Sequence, residues 1–388
     1  MIEKIRNGVQ DWLDACRYAN ECAPVLFDFA KNDDYFFILM TICLVAGFWL
    51  ANMLSARERA NPIYERGDFG ASRNRQKARL SHANADDGAT IFFVSAISAV
   101  AQITGLSFLL FPEIGALSNE VFRKPHGAWA NGPLMLIVTP FCAGLIGTVI
   151  THVFPYGALA VLVSIIAGII VIRRLGSPVT PAISAGLLPV TLGDSSWWYP
   201  SSLLLGATLL STAAYARRRI DAPEKNKSGA SDESHHPASA GRDVSWIPFL
   251  AAFFLLSASL ASLTGWRFLM FPPLAVIAFE MFAHASICPW AQRPLLLPVA
   301  CGLTITAGIF TVGYLGNGVI AVALTMLFGV AALRMLAFHA PPALAVGLLP
   351  FVMPRPDYLH GFSVVCGSAL LTFVFLLWRK TKEPVCPD

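Results

Sequence analysis

Two arginines at matching places in the chain are well suited to bind a small anion. Arg173 and Arg334 each end a long apolar run and stand shortly before a proline-containing segment. A guanidinium group presents a planar fork of N–H donors that fits small oxyanions. The alternative is that both side chains only reach the membrane surface from helix ends. On the first interpretation, the two arginines are a candidate site for electrostatic capture of an anion.

The segments that follow these arginines match each other. Residues 181–189 (PAISAGLLP) align without a gap on residues 342–350 (PALAVGLLP), with six of nine positions identical. Neighbouring prolines disfavour a continuous helix, and irregular backbone at membrane depth can bind ions. Ordinary proline-containing loops are the alternative. The substrate-binding candidates from these segments are Pro181, Gly186, His339, Pro341, Pro342 and Gly347.

Acidic residues recur as well. Glu120 and Glu280 are each followed two residues later by Phe. A carboxyl group in apolar surroundings has a raised pKa and could carry a coupling proton, so both are proton-coupling candidates. A salt bridge or a helix cap is the structural alternative. His339 could titrate near neutral pH, but the first copy has Pro178 at the aligned position, which favours a structural role for the histidine.

These recurring residues belong to a longer duplication. Residues 101–112 (AQITGLSFLLFP) align on residues 261–272 (ASLTGWRFLMFP), with seven of twelve positions identical. The same register pairs Glu120 with Glu280 and, after one inserted residue, Arg173 with Arg334. The sequence therefore predicts two tandem repeats.

The composition is that of a membrane protein. The 388 residues are 55% hydrophobic and only 13% charged, and the mean hydropathy is +0.60. We expect an all-α polytopic helix bundle of about nine transmembrane helices: one N-terminal helix plus two four-helix repeats with short Pro-broken segments. The net charge of +4 does not indicate a nucleic-acid partner. Since no catalytic or metal-ligand spacing occurs, we expect neither an enzyme nor a cofactor nor a metal site.

The apolar and polar stretches divide the chain into seven parts. They are an extramembrane N-terminal segment (1–34), an N-terminal transmembrane helix (35–54), a basic cytoplasmic loop (55–88), membrane repeat 1 (89–216), a polar linker with the composition of disorder (217–245), membrane repeat 2 (246–380) and a C-terminal tail (381–388).

The basic residues predict the orientation. Residues 55–88, 216–245 and 379–388 hold seven, six and three Lys/Arg. By the positive-inside rule they face the cytoplasm of a multi-pass inner-membrane protein, with the N-terminus outside and the C-terminus inside. The Pro-broken stretches 112–132, 175–196, 272–293 and 338–357 would then all lie on the outer face.

Both repeats resemble the integral-membrane HPP family. Each has an apolar helix that ends in Phe-Pro (Phe111-Pro112 and Phe271-Pro272), two further helices and a Pro-Ala motif before a fourth helix. The second repeat reads His339-Ala340-Pro341-Pro342, with the histidine one residue early, and the first lacks the histidine. The resemblance covers about residues 90–216 and 246–380. That family is associated with transport of nitrite and related anions, so the resemblance implies a small-anion transporter.

We therefore expect transport of a small solute, such as nitrite or nitrate, through a site between two pseudo-symmetric repeats. The expected partners are a small anionic solute and the lipid bilayer, with a possible homo-oligomer. The alternative is a membrane sensor or assembly scaffold that transports nothing. In that case the repeats would enclose no polar cavity.

Overall fold

The computed structural model describes residues 73–225 and 244–382, with side chains over 84–219 and 244–382. These ranges contain helices and their connections and no strand. The predicted N-terminal segment, the helix at 35–54, most of the basic loop, most of the linker and most of the tail lie outside the described residues.

The two halves of the described chain contain the same order of helices. In the first half these are α1 (Arg73–Thr104), α2 (Glu113–Arg123), α3 (Ala128–Asn131), α4 (Pro133–Val153), α5 (Ala158–Leu175), α6 (Ala182–Leu192) and α7 (Trp198–Lys225). In the second half they are α8 (Ile247–Thr264), α9 (Pro272–Ala283), α10 (Pro289–Gln292), α11 (Leu296–Leu315), α12 (Val319–Met335), α13 (Pro341–Leu348) and α14 (Tyr358–Lys382). A 3₁₀ turn precedes α2 and α9, at Ser107–Leu110 and Arg267–Met270, and another, Leu349–Phe351, follows α13.

Six helices in the described part of the chain are long and apolar enough to cross a membrane. They are Asn84–Thr104 within α1, α4, α5, α8, α11 and α14. Two further helices of the repeats do not reach that standard. Helix α12 has only 17 residues, and α7 is long but less apolar. The total of nine therefore stays a prediction.

The prolines that were expected to break the chain instead begin short helices. Pro181 is the N-cap of α6, and Pro341 and Pro342 occupy the first turn of α13. The first helical turn tolerates proline because its N–H groups have no intrahelical acceptor and the fixed φ already suits a helix. The chain is irregular just before these prolines, over residues 176–181 and 336–340, and the residues that follow are helical.

These short helices form the centre of the molecule. Every residue of α13 is buried, as are ten of the eleven residues of α6, and α2 and α9 are nearly as enclosed. Across the two halves, α2 packs on α13 and α6 packs on α9, while α9 also contacts α13. Long helices surround them, with α1 against α12 and α8 against α5. The most buried elements are thus the ones that the sequence marked as interruptions.

The short helices also run along the bundle instead of staying at one end of it. At one end of α4, Thr139 donates to Ser177, and near its other end the His152 and Trp197 rings stack. The stretch 177–197 therefore extends along α4. Helix α2 likewise returns along α1, since Arg123 at its end pairs with Asp87, which lies near the start of the apolar part of α1, Asn84–Thr104. The prediction that these stretches share one outer face is wrong.

Two glycine contacts bring the short helices close to the long ones. A Cβ on Gly147 of α4 would lie 2.0 Å from the carbonyl oxygen of Gly186 in α6. In the second half, a Cβ on Gly308 of α11 would lie 2.1 Å from the carbonyl oxygen of Gly347 in α13. The absence of a side chain is therefore required for backbone to meet backbone at both crossings.

Candidate functional site

A polar cavity of about 180 Å³ lies between the halves, where α1 and α2 meet α12 and α13. Its polar lining comes from both halves and consists of Asp87, Asn119, Arg123, Arg334 and His339. Apolar residues such as Val330, Leu333 and Phe338 complete the wall. The site exists only because the end of α2 and the loop before α13 come together.

Asp87 is the centre of the polar network. It is 4% exposed, although it lies in the stretch that the sequence assigned to a cytoplasmic loop, because helix α1 begins well before that residue. Arg123 contacts its carboxylate at 2.9 Å, and Asn119 donates to Oδ1 at 3.4 Å. Arg334 pairs with the same carboxylate and also donates to Asn84. The buried Asp87 carboxylate therefore brings two guanidinium groups from opposite halves close together.

His339 connects this network to Glu120. An Arg123 Nη1 donor lies 3.3 Å from His339 Nδ1, so that nitrogen accepts, and a neutral ring then carries its proton on Nε2. Nε2 lies 3.4 Å from Glu120 Oε2. His339 thus takes part in the polar network, although its counterpart in the first half is proline.

Glu120 is held in ion pairs. Its Oε1 lies 2.6 Å from the Lys124 ammonium group, in addition to the contact with His339. Burial alone would raise the pKa of this carboxyl group, but the hydrogen bond from His339 and the charge of Lys124 outweigh it and hold the pKa at about 2. The predicted raised pKa is therefore wrong for Glu120, and the salt-bridge alternative describes it.

Glu280 is also paired. His284 Nδ1 lies 2.8 Å from Glu280 Oε2, one helical turn away. The hydrogen bond to Glu280 raises the pKa of His284, and the carboxylate charge adds to the effect against the opposing effect of burial. This acid too matches the structural alternative given for the glutamate pair.

The predicted arginine pair does not share one site. Arg334 lines the cavity, whereas Arg173 is exposed at the end of α5 and does not line it. Within the described part of the chain no ion pair is found for Arg173, which fits a side chain reaching the membrane surface.

Among the predicted proline and glycine residues, only Pro341 lines the cavity. Pro181, Pro342, Gly186 and Gly347 are buried in helix contacts. Ser164 donates to the carbonyl of Gly186 at 2.9 Å, so the polar backbone of that glycine is already occupied. These residues therefore position the site but do not form it.

The loop that carries the cavity wall contains an unusual backbone. Ala337 has φ 47°, in the left-handed region, and it is the only non-glycine residue with a positive φ in the described ranges. Its N–H bonds to the carbonyl of Arg334, and the next N–H bonds to Leu333. The aligned residue of the first half, Gly176, closes α5 by the same pattern with φ 57°. An alanine in this conformation costs about 1–2 kcal/mol.

Sequence reasoning missed Asp87, Asn119 and Arg123 as members of a common site. A signal was present, because Asp86 and Asp87 directly precede an apolar run and Arg123 follows the next one. Opposite charges at the near ends of antiparallel helices can meet. Only the folded structure shows that the two helix ends come together.

The arrangement provides two guanidinium donors, an imidazole and an amide around a small polar space. Such a set can bind a small oxyanion by charge-assisted hydrogen bonds. Comparisons of the chain with protein-family models, with curated proteins and with solved structures give no match.

Proposed function

We propose that the protein moves a small inorganic anion, of the size of nitrite or nitrate, across a membrane by way of this cavity. The single observation that carries the proposal is the convergence of Arg123 and Arg334, from opposite halves, on one small cavity. The resemblance of both repeats to an anion-transport family agrees with it.

The N–H donors that line the cavity suit an anion. Two guanidinium groups face one carboxylate, Asp87, and Glu120 is balanced by Lys124. Asp87 itself occupies the place of a bridging anion, so an incoming oxyanion can compete for the same N–H donors.

The size of the cavity limits the ligand. A volume of about 180 Å³ is that of roughly six water molecules, at about 30 Å³ each. A three- or four-atom oxyanion with a few waters fits this space. The apolar wall formed by Val330 and Leu333 leaves the polar donors at one side.

The position of the cavity between the halves supports transport over simple storage. Binding sites of transporters built from repeats lie where the repeats meet, so that movement of one repeat against the other can open either side. We place the end that carries Arg123, Arg217 and Arg334 at the cytoplasm, by the positive-inside rule. The cavity then opens at the cytoplasmic side, and the layout is two parallel repeats after an N-terminal helix.

Exchange of isotopically labelled nitrate in liposomes that contain the full-length protein tests the proposal. Arg334→Ala should slow exchange at least tenfold, corresponding to about 1.4 kcal/mol of lost binding energy. Arg173→Ala is the matched control, because it removes the aligned arginine outside the cavity, and it should stay within about twofold of the wild type. No exchange by the wild type above empty vesicles would reject the function. Equal losses in the two variants would reject the cavity as the site.

A further inference from the structure

A second acid, Glu113, lies deep in the core of the first half and takes no part in the cavity. It is the first residue of α2 and is 2% exposed. The hydroxyl of Ser184 in α6 donates to its Oε1. Its Oε2 is buried and, within the described residues, has no hydrogen-bond partner. A carboxyl group placed this way is incompletely satisfied in either protonation state.

Among the residues that the structure describes, no compensating charge lies around Glu113. The helices α6 and α13 carry no titratable side chain, and α7 brings Tyr199, whose hydroxyl donates to the carbonyl of Ala185 at 2.6 Å. The acids Asp86 and Asp87 of α1 lie toward the opposite end of α2. An ionised carboxylate in such a place is disfavoured, and intramembrane acids of this kind commonly carry protons.

Glu113 and the cavity are connected by one rigid element. Helix α2 has 11 residues, with Glu113 at its start and Arg123 at its end, so the two are about 15 Å apart. A negative charge at this distance makes proton binding roughly sixfold tighter at an effective dielectric constant of about 20. By reciprocity, protonation strengthens anion binding by the same factor.

The pair formed by Glu113 and Ser184 is present in one half only. The residues aligned with Glu113 and Ser184 are Pro273 and Ala345, and neither can bind a proton. Glu113 and Arg123 thus belong to the same half and lie on the same helix, α2.

We propose that Glu113 binds the proton that accompanies the anion, so that the protein is a proton–anion symporter. The inference rests on the proposed transport function and adds its energy source. Glu113 takes a proton from water as the anion enters the cavity, Ser184 holds the carboxyl group in place, and the proton is returned to water when the anion leaves. One proton and one monovalent anion cross together, so the step carries no net charge.

Nitrate-driven proton uptake, reported by a pH-sensitive dye inside liposomes, tests this inference beside the labelled-nitrate exchange. Glu113→Gln keeps the size and polarity of the side chain but cannot release a proton. It should keep nitrate exchange within about threefold of the wild type and lose nitrate-driven proton uptake. Glu280→Gln is the matched control, since it removes a paired acid away from the cavity, and it should keep both activities.

The outcomes separate the two proposals. Proton uptake by Glu113→Gln at the wild-type ratio of protons to nitrate would overturn the inference while leaving transport intact. Loss of coupling in His339→Gln, with coupling kept in Glu113→Gln, would overturn it as well and assign the proton to the cavity histidine. Absence of nitrate exchange in the wild type is instead the failure of the proposed function.

Two further measurements apply if Glu113→Gln does not fold. Ser184→Ala removes the donor to the carboxylate, so the charged form is less stable and the pH midpoint of proton uptake should move upward. A midpoint that stays in place or moves downward contradicts the inference. Infrared difference spectra of the wild type on acidification should show a buried carboxylic acid band that Ser184→Ala shifts, and this readout needs no transport.

Discussion

Two corners of the bundle are aligned in sequence but differ in charge. The first, formed by α1, α2, α12 and α13, contains Asp87, Asn119 and Arg123. The second, formed by α8, α9, α5 and α6, has Ile247, Phe279 and Ala283 at the aligned positions. Both corners keep a glutamate at the end of the short helix and an arginine at the end of the long one. The comparison teaches that the recurring arginine and glutamate are not enough to make a polar cavity, and that Asp87, Asn119 and Arg123, which differ between the corners, complete its polar lining.

The same contrast appears in the backbone. The turn after α5 is closed by Gly176, for which a left-handed φ costs nothing. The turn after α12, in the polar corner, is closed by Ala337 in the same conformation. Strain of this kind persists where the surrounding contacts over-determine the conformation, and it commonly lies at functional sites. The strained turn lies between Arg334 and His339.

The largest expected effect concerns the close helix crossings that occur once in each half. Gly147→Ala and Gly308→Ala should each lower the free energy of unfolding by about 3 kcal/mol, because the new Cβ meets a backbone carbonyl that cannot rotate away. Gly313→Ala in α11, which points into open space, is the control and should change the free energy by less than about 1 kcal/mol. Reversible unfolding in mixed micelles measures all three. If only one half is sensitive, the two crossings are not equivalent.

An intermediate effect tests the charge difference between the corners. Asp87→Asn leaves Arg123 and Arg334, whose side chains are 28% and 40% exposed, without their shared carboxylate. We expect a loss of about 2 kcal/mol in the free energy of unfolding, reduced from the fully buried case by solvent. Ile247→Ala at the aligned position should cost less than about 1 kcal/mol, since that side chain is 43% exposed.

A second substitution sharpens this test. Adding Arg334→Ala to Asp87→Asn should recover part of the lost stability, because it removes one of the two guanidinium groups that have lost the Asp87 carboxylate. Equal costs for Asp87→Asn and Ile247→Ala, or additive costs for Asp87→Asn and Arg334→Ala, would mean that the network contributes nothing measurable.

The smallest effect tests the turns. Gly176→Ala should destabilise the protein by about 1 kcal/mol, because a side chain is introduced at a left-handed residue. Ala337→Gly should stabilise it by about 0.5 kcal/mol, since the relief of strain exceeds the entropy that glycine adds to the unfolded chain. Thermal unfolding of the two variants beside the wild type gives both signs. A loss of stability in Ala337→Gly would show that the alanine methyl group contributes more by packing than the turn costs.

The long helices were predictable from sequence, and the roles of the short ones were not. Continuous apolar runs such as 133–152 indicate a membrane helix by length alone. The sequence around Pro181 and Pro341 fits a broken loop as well as the first turn of a helix. Local sequence therefore does not distinguish the two conformations. The distinction depends on burial between the halves, which is a property of the whole fold.

The sequence identified Arg334, His339 and Pro341 of the site and missed the members that α1 and α2 contribute. Arg334 was identified because Arg173 is aligned with it, and the same comparison of repeats passed over Asp87 and Arg123, whose counterparts are Ile247 and Ala283. Glu113 was missed for the same reason, although a single glutamate between Phe111-Pro112 and an apolar run is a visible signal. Comparing repeats finds what duplication preserved and overlooks what one copy acquired or lost.

The contacts of the glycines also divide the molecule into parts that must move together and a boundary that can slide. Gly147 meets the backbone of Gly186, which fixes α6 to α4, whereas a Cβ on Gly115 of α2 would meet only the side chains of Leu348 and Met326 from the other half. Flexible side chains change rotamers easily, and methionine does so most readily. If one half moves against the other, the contacts at this boundary adjust more easily than those between α4 and α6. The boundary lies beside α2, the helix that joins Glu113 to the cavity.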